Sequence, residues 1–279
     1  MTTDYFKKTL PVVLWMLLFS TWPTKAQNIY DAEHAWEYAQ HLYRQKAYMA
    51  AAEEYLRVLY LQADNTEALD SALSALTKAG KHKQTVSLLN NHFTANEIPD
   101  KYRDILITEA LKTEQLTIAE KHINIMKDSF PTKAAAYKSA QLILAGEYKK
   151  TAAFQFESKS STVSQLKKLA DSCQNIRFKR PAFYAISAAI IPGSGHMATG
   201  NSEMGMQYLF MFAANGFQAY KAYEIKGKGD KYAFVFTGIA AGIYLGNIYG
   251  AYREAQYRNN QTKEIIKRQV IKIIKQTGK

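Results

Sequence analysis

Apolar residues recur at helical spacing through the middle of the chain. In the segment AWEYAQHLYRQ, Trp36, Ala39, Leu42 and Tyr43 share one face. TEALDSALSALTKAG repeats the pattern with Ala68, Leu69, Ala72, Leu73 and Leu76. Each of these helices is followed by a second, and the pair recurs. Lys46, Gly80 and Glu114 lie 34 residues apart, as do Ala51, Thr85 and Ala119, and Tyr55, Leu89 and Ile123. A fourth copy, GEYKKTAAFQF, starts at Gly146 after a gap of 32. Ala63-Asp64-Asn65 is a polar stop, and Thr66 is placed to cap the next helix. The pattern predicts an array of helix–turn–helix units rather than a single closed bundle.

A 34-residue helix–turn–helix unit resembles the tetratricopeptide repeat, here over residues 32–156. Ala51 and Ala119 match the small residue that lets the paired helices approach. Gly80 and Gly146 match the turn glycine, and Pro131 sits where the second helix often stops. Lys46 and Glu114 replace the turn glycine, and Thr85 replaces the alanine. Tyr55, Leu89 and Ile123 are the matching core positions. The resemblance implies a concave groove that binds a peptide or another protein; a rigid spacer without a ligand is the alternative. His34, His41, His82, His92 and His122 lack metal-pair spacing and are expected to be ordinary polar or half-buried rings.

Beyond residue 176 the pattern changes. Residues 181–202, 204–220 and 232–252 contain no charge and run 22, 17 and 21 residues, lengths that fit a bilayer. The third stretch carries Gly238, Gly242, Gly246 and Gly250 every four residues. Such a stripe allows close helix packing in lipid, either within the unit or against a second copy of the chain. Pro192 and Gly193 break the first stretch, giving a surface turn or a re-entrant bend. The string PGSGHMATGNSEMGMQYL is similar to a family of small bacterial membrane hairpins whose turn reads PGxGQxYxGxxxxG. Pro192, Gly193, Gly195, Gly200 and Gly205 keep that spacing, with His196 for Gln and Ala198 for the aromatic. The resemblance carries architecture and no chemistry. His196 is expected to hold the turn by a hydrogen bond, and its nearest ionisable neighbour in sequence is Glu203.

Residues 1–26 have the build of an export signal: Lys7 and Lys8, an uncharged run over residues 10–22, then Thr24-Lys25-Ala26. The formal net charge of +12 is unevenly spread. Residues 27–175 balance 18 Lys+Arg against 18 Asp+Glu, whereas residues 176–279 hold 15 against 5. Arg177, Lys179, Arg180, Lys221, Lys226, Lys228 and Lys231 flank the apolar stretches. The tail from residue 253 carries eight basic residues and two acids, with KEIIKRQVIKIIKQ as an amphipathic helix. Basic residues beside apolar spans meet lipid headgroups, and no basic domain presents them to nucleic acid. Three spans would put repeats and tail on opposite sides; two spans with a re-entrant first segment would put them on the same side. The basic tail favours three.

Cys173, the one cysteine, excludes a disulfide framework. Gly193-Ser194-Gly195 lacks the preceding strand of a nucleophile elbow, and no Lys-Ser/Thr follows for a phosphate loop. The expected fold is all-α: export signal (1–26), tetratricopeptide-like repeat domain (27–175), transmembrane unit of two to three helices (176–252) and basic amphipathic tail (253–279). The expected function is a membrane-anchored adaptor or assembly factor of the bacterial inner membrane, with repeats facing the periplasm. A protein partner and membrane lipid are expected; an enzyme, a cofactor, a metal and nucleic acid are not. The alternative is a small transporter, channel or membrane enzyme regulated by the repeats.

Overall fold

The computed structural model describes residues 31–153, 160–227 and 229–276; the expected export signal lies outside them. Among the described residues the regular structure is all helical. The helices are α1 (Ala32–Arg44), α2 (Tyr48–Leu61), α3 (Thr66–Lys78), α4 (His82–His92), α5 (Asp100–Lys112), α6 (Leu116–Met126), α7 (Pro131–Leu144), α8 (Tyr148–Ala153), α9 (Ser161–Gln174), α10 (Pro181–Ile190), α11 (Ser194–Thr199), α12 (Ser202–Lys226) and α13 (Lys231–Lys275).

The repeat has a local cause. Lys46, Gly80, Glu114 and Gly146 all take left-handed backbone, with φ of 63°, 71°, 59° and 79°. At each turn the residue after it donates its N–H five residues back, as Ala47 does to the Leu42 carbonyl and Lys81 to that of Leu76. Gln115 to Ala110 and Glu147 to Leu142 complete the set. These are four copies of one helix stop followed at once by a new helix. Lysine and glutamate pay a modest strain where glycine would not. Thr85, standing for alanine, is fully buried and turns its hydroxyl to the Lys81 carbonyl. Asn65 rather than Thr66 caps α3, its side chain accepting from Ala68 N–H. Pro131 is the first residue of α7, where a missing N–H costs nothing.

The chain divides into two compact units, Met1–Thr85 and Val86–Lys279. In the first, Ala39, Ala51 and Ala52 are fully buried and let α1 and α2 approach closely. Tyr55 packs edge-on to Trp36, and the Tyr43 hydroxyl is 2.8 Å from Ser74 Oγ. In the second unit, Leu89, Ile107, Leu111, Ala119, Ile123 and Leu166 are buried.

Helix α13 joins two environments within the second unit. Ala233, Ala240, Asn247, Ala251, Ala255, Ile266, Val270 and Ile274 form one buried stripe along its 45 residues. Side chains are small in the first half and aliphatic in the second. Ile266, Val270 and Ile274 belong to the same apolar core as Ile107, Leu166 and Cys173. The tail is thus a continuation of α13 that buries its apolar face in protein. Lys267 reinforces the contact by pairing with Glu114 at 2.9 Å.

Helix α13 is long and apolar enough to cross a membrane. At 1.5 Å per residue it extends about 67 Å, which leaves a surplus beyond a ~30 Å hydrocarbon layer. Helix α12, of 25 residues, reaches about 37 Å, whereas the ten residues of α10 reach only about 15 Å. Phe183, Ile186, Phe210, Phe217, Phe234 and Leu245 are exposed on these three helices.

Candidate functional site

Two asparagines on α13 hold the broken first stretch in place. Asn259 accepts from Lys179 N–H and donates to the Lys179 carbonyl, both at 2.8 Å, just ahead of α10. Asn247, fully buried, accepts from Gly193 N–H and donates to the Ala188 carbonyl, both at 2.9 Å, at the far end of α10. Tyr244 adds a hydroxyl bond to the Ala189 carbonyl. The backbone groups freed where the helix breaks at Pro192 are thus satisfied by side chains, as an apolar setting requires.

The glycine spacing follows from close approach. A Cβ on Gly193 would lie 2.0 Å from the Gly205 carbonyl oxygen, and one on Gly205 would lie 2.6 Å from that of Gly193. Gly195 is pressed equally hard between α10 and α13. Gly200 ends α11 at φ 97°, with Asn201 N–H bonded back to the His196 carbonyl. The motif is a short helical return, pinned where it crosses the start of α12.

That return delivers His196 to α13. The imidazole is 1% exposed and its Nδ1–H donates to Glu254 Oε2 at 2.8 Å. Tyr208 of α12 stacks on the ring, with centroids 4.9 Å apart and planes 9° from parallel. The Cε1–Nε2 edge lies over Gly250, where a Cβ would meet both atoms at 3.0 Å. His196 Nε2 is buried without a hydrogen-bond partner among the described residues. Glu254 also accepts from Arg258. Burial alone would raise its pKa. Hydrogen bonds from His196, Asn201 and Arg258 outweigh burial and hold it below the ordinary value, so the carboxylate is ionised at neutral pH.

A cleft of about 590 Å³ opens beside this pair, lined by His196, Asn201, Met204, Gly250, Arg253, Glu254, Tyr257, Arg258 and Gln261. Among the described residues no group of three or more His, Cys, Asp or Glu is placed to hold a metal ion.

The expected positions separate into groups. Pro192, Gly193, Gly195, His196, Gly200 and Gly205 come together in the return. Glu203 is exposed, and the partner of His196 is Glu254, 58 residues away. The glycine stripe splits. Gly250 packs on His196 and Gly246 faces Tyr208, but a Cβ on Gly238 or Gly242 would meet nothing within 4 Å. Ala51, Tyr55, Leu89, Ala119 and Ile123 are buried, and Gly80 and Gly146 form turns. His122 departs from the ordinary ring expected. It is fully buried, both its nitrogens lack partners among the described residues, and burial pushes its pKa down to about 4. Asn247, Asn259, Tyr208, Glu254 and Arg258 carried no signal in sequence beyond being polar groups beside an apolar stretch. No protein-family model matches the chain, nor does any curated protein or solved structure.

Proposed function

We propose that the chain is a membrane-anchored adaptor of the bacterial inner membrane whose tetratricopeptide-like repeats bind a protein partner in the periplasm. The observation that carries this reading is α13. One buried stripe runs from its apolar half into the core it shares with α5 and α9, so the membrane unit and that core form one mechanical piece. An anchor that moved independently of its cargo domain would need a flexible linker instead.

Under this reading α12 and the first half of α13 cross the bilayer as a hairpin. Helix α10 and the glycine return enter and leave on one side, since ten residues are too few to span. The end of α13 shares a core with helices preceding α10, which supports two crossings and one common side for them. This favours the re-entrant alternative over three spans. The basic end of the hairpin, with Lys221 and Lys226 in the last turns of α12, Lys228 between the helices and Lys231 opening α13, then faces the cytoplasm, as short basic loops prefer.

Deleting residues 32–156 would expose Ile266, Val270 and Ile274, so point replacement is the cleaner test. A photo-crosslinking amino acid replaces Tyr60, 88% exposed on α2, or Phe130, exposed before α7, or Phe217 in the hairpin. Discrete protein adducts at Tyr60 or Phe130 in intact cells are expected. Adducts confined to Phe217 would contradict the adaptor.

The His196–Glu254 pair favours a second reading, in which the membrane unit itself transports or catalyses. Buried ionisable pairs beside spans are costly and mark functional sites. Proton or solute flux into proteoliposomes that disappears in both His196→Ala and Glu254→Gln would support it.

A further inference from the structure

We propose that the cleft between the glycine return and α13 binds the headgroup of an anionic phospholipid. The inference rests on the membrane-hairpin reading above and adds a ligand to it. Three observations carry it.

The first is depth. Arg253 is the first charge on α13 after the uncharged residues 232–252, and Tyr249, Tyr252 and Tyr257 are exposed around it. Aromatic rings followed by charges mark the level where acyl chains give way to headgroups. The cleft spans that boundary. Its lining runs along α13 from Gly250 to Gln261, about 16 Å. Met204 and Gly250 lie at the apolar end; Arg253, Arg258 and Gln261 lie at the polar end.

The second is charge. Glu254 is shared by Arg258 and His196, which neutralises one cation. Arg253 reaches only Gln256, at 3.3 Å, and pairs with no acid among the described residues. Arg253 and Arg258 against Glu254 leave the cleft lining with one positive charge in excess. A guanidinium matches phosphate by paired N–H donors, and Arg258 keeps further donors beyond its bonds to Glu254.

The third is construction. Glu254 holds His196 on one oxygen and Arg258 on the other, and His196 is wedged between Tyr208 and Gly250. The wall is therefore fixed before a ligand arrives, which limits the ordering entropy that binding must overcome. Basic recesses between membrane helices suit anionic headgroups in this way. Free phosphate offers the same oxygens but has nothing to fill the Met204–Gly250 end.

The test uses full-length protein in detergent and native mass spectrometry with added phosphatidylglycerol or phosphatidylcholine. Insertion is checked separately by resistance to carbonate extraction of membranes. The expected result is tight, saturable retention of phosphatidylglycerol over phosphatidylcholine. Arg253→Gln, an exposed substitution, should weaken it about fivefold at unchanged melting temperature. Lys226→Gln, at the opposite end of the hairpin, should leave it unchanged. Equal retention of the two lipids, wild-type affinity in Arg253→Gln, or an equal loss in Lys226→Gln would overturn the headgroup site. Displacement of the lipid by equimolar inorganic phosphate would reassign the cleft to free phosphate and overturn the lipid occupant. Protein that is extracted by carbonate would overturn the membrane reading itself, whereas insertion without lipid preference overturns only this inference.

Discussion

Replacing Asn247 by leucine tests how the broken first stretch is held. Leucine keeps nearly the same volume, so the change isolates the two hydrogen bonds to Gly193 N–H and the Ala188 carbonyl. Asn247 is fully buried, so water cannot replace it at either group. A buried backbone donor or acceptor left unpaired costs about 1–3 kcal/mol, which makes the expected loss roughly 2–6 kcal/mol. The extra apolar surface of leucine offsets part of this, by about 1–2 kcal/mol. Asn259→Leu breaks the matching pair of bonds at Lys179, but that site is half-buried and water can substitute. The assay is thermal unfolding of the full-length protein in detergent, with amide exchange followed at residues 181–200. Asn247→Leu should melt several degrees lower and speed exchange in α10 and α11, and Asn259→Leu should do so less. An Asn247→Leu protein as stable as the wild type would refute the clamp.

The same geometry makes further predictions. Gly193→Ala forces a Cβ to within 2.0 Å of the Gly205 carbonyl at a left-handed φ of 89°, so destabilisation of about 3 kcal/mol or more is expected in the same melt. Gly238→Ala meets nothing and should stabilise α13 by about 0.5–1 kcal/mol; loss of stability there would reveal a neighbour on that face, such as a second copy. His122 has a native pKa of about 4 against an ordinary 6.5, so below about pH 6.5 the unfolded chain takes a proton that the native chain refuses. Its contribution to stability is therefore retained above pH 6.5 and lost as pH falls toward 4, by about 3 kcal/mol in all. His122→Leu should flatten that part of the pH–stability curve, and an unchanged curve would contradict the burial argument.

The repeat was legible because its signal is local. The 34-residue spacing marks turns whose backbone is left-handed even where Lys46 and Glu114 stand for glycine. The glycine return was legible for a similar reason: no side chain fits where Gly193 crosses Gly205. What the sequence could not supply was long-range. His196 is equally compatible with Glu203, seven residues on, and Glu254, 58 residues on, and only the return toward α13 selects the second. Asn247 looks like an interruption of an apolar helix until the broken α10 is seen beside it. The stripe of Ile266, Val270 and Ile274 has the same spacing whether it faces lipid or protein. The expectation of a tail lying at headgroups therefore gives way to one buried in a core.

That burial bears directly on the central claim, that α13 returns across the membrane to the side occupied by the repeats. In a Cys173→Ala background, single cysteines replace Asp128 before α7, Gly229 between α12 and α13, and Arg268 near the end of α13, all exposed positions. A membrane-impermeant maleimide is applied to cells with a permeabilised outer membrane and an intact inner one. The account predicts labelling at Asp128→Cys and Arg268→Cys, with Gly229→Cys protected until the inner membrane is opened. Labelling of Asp128→Cys with protection of Arg268→Cys would contradict it.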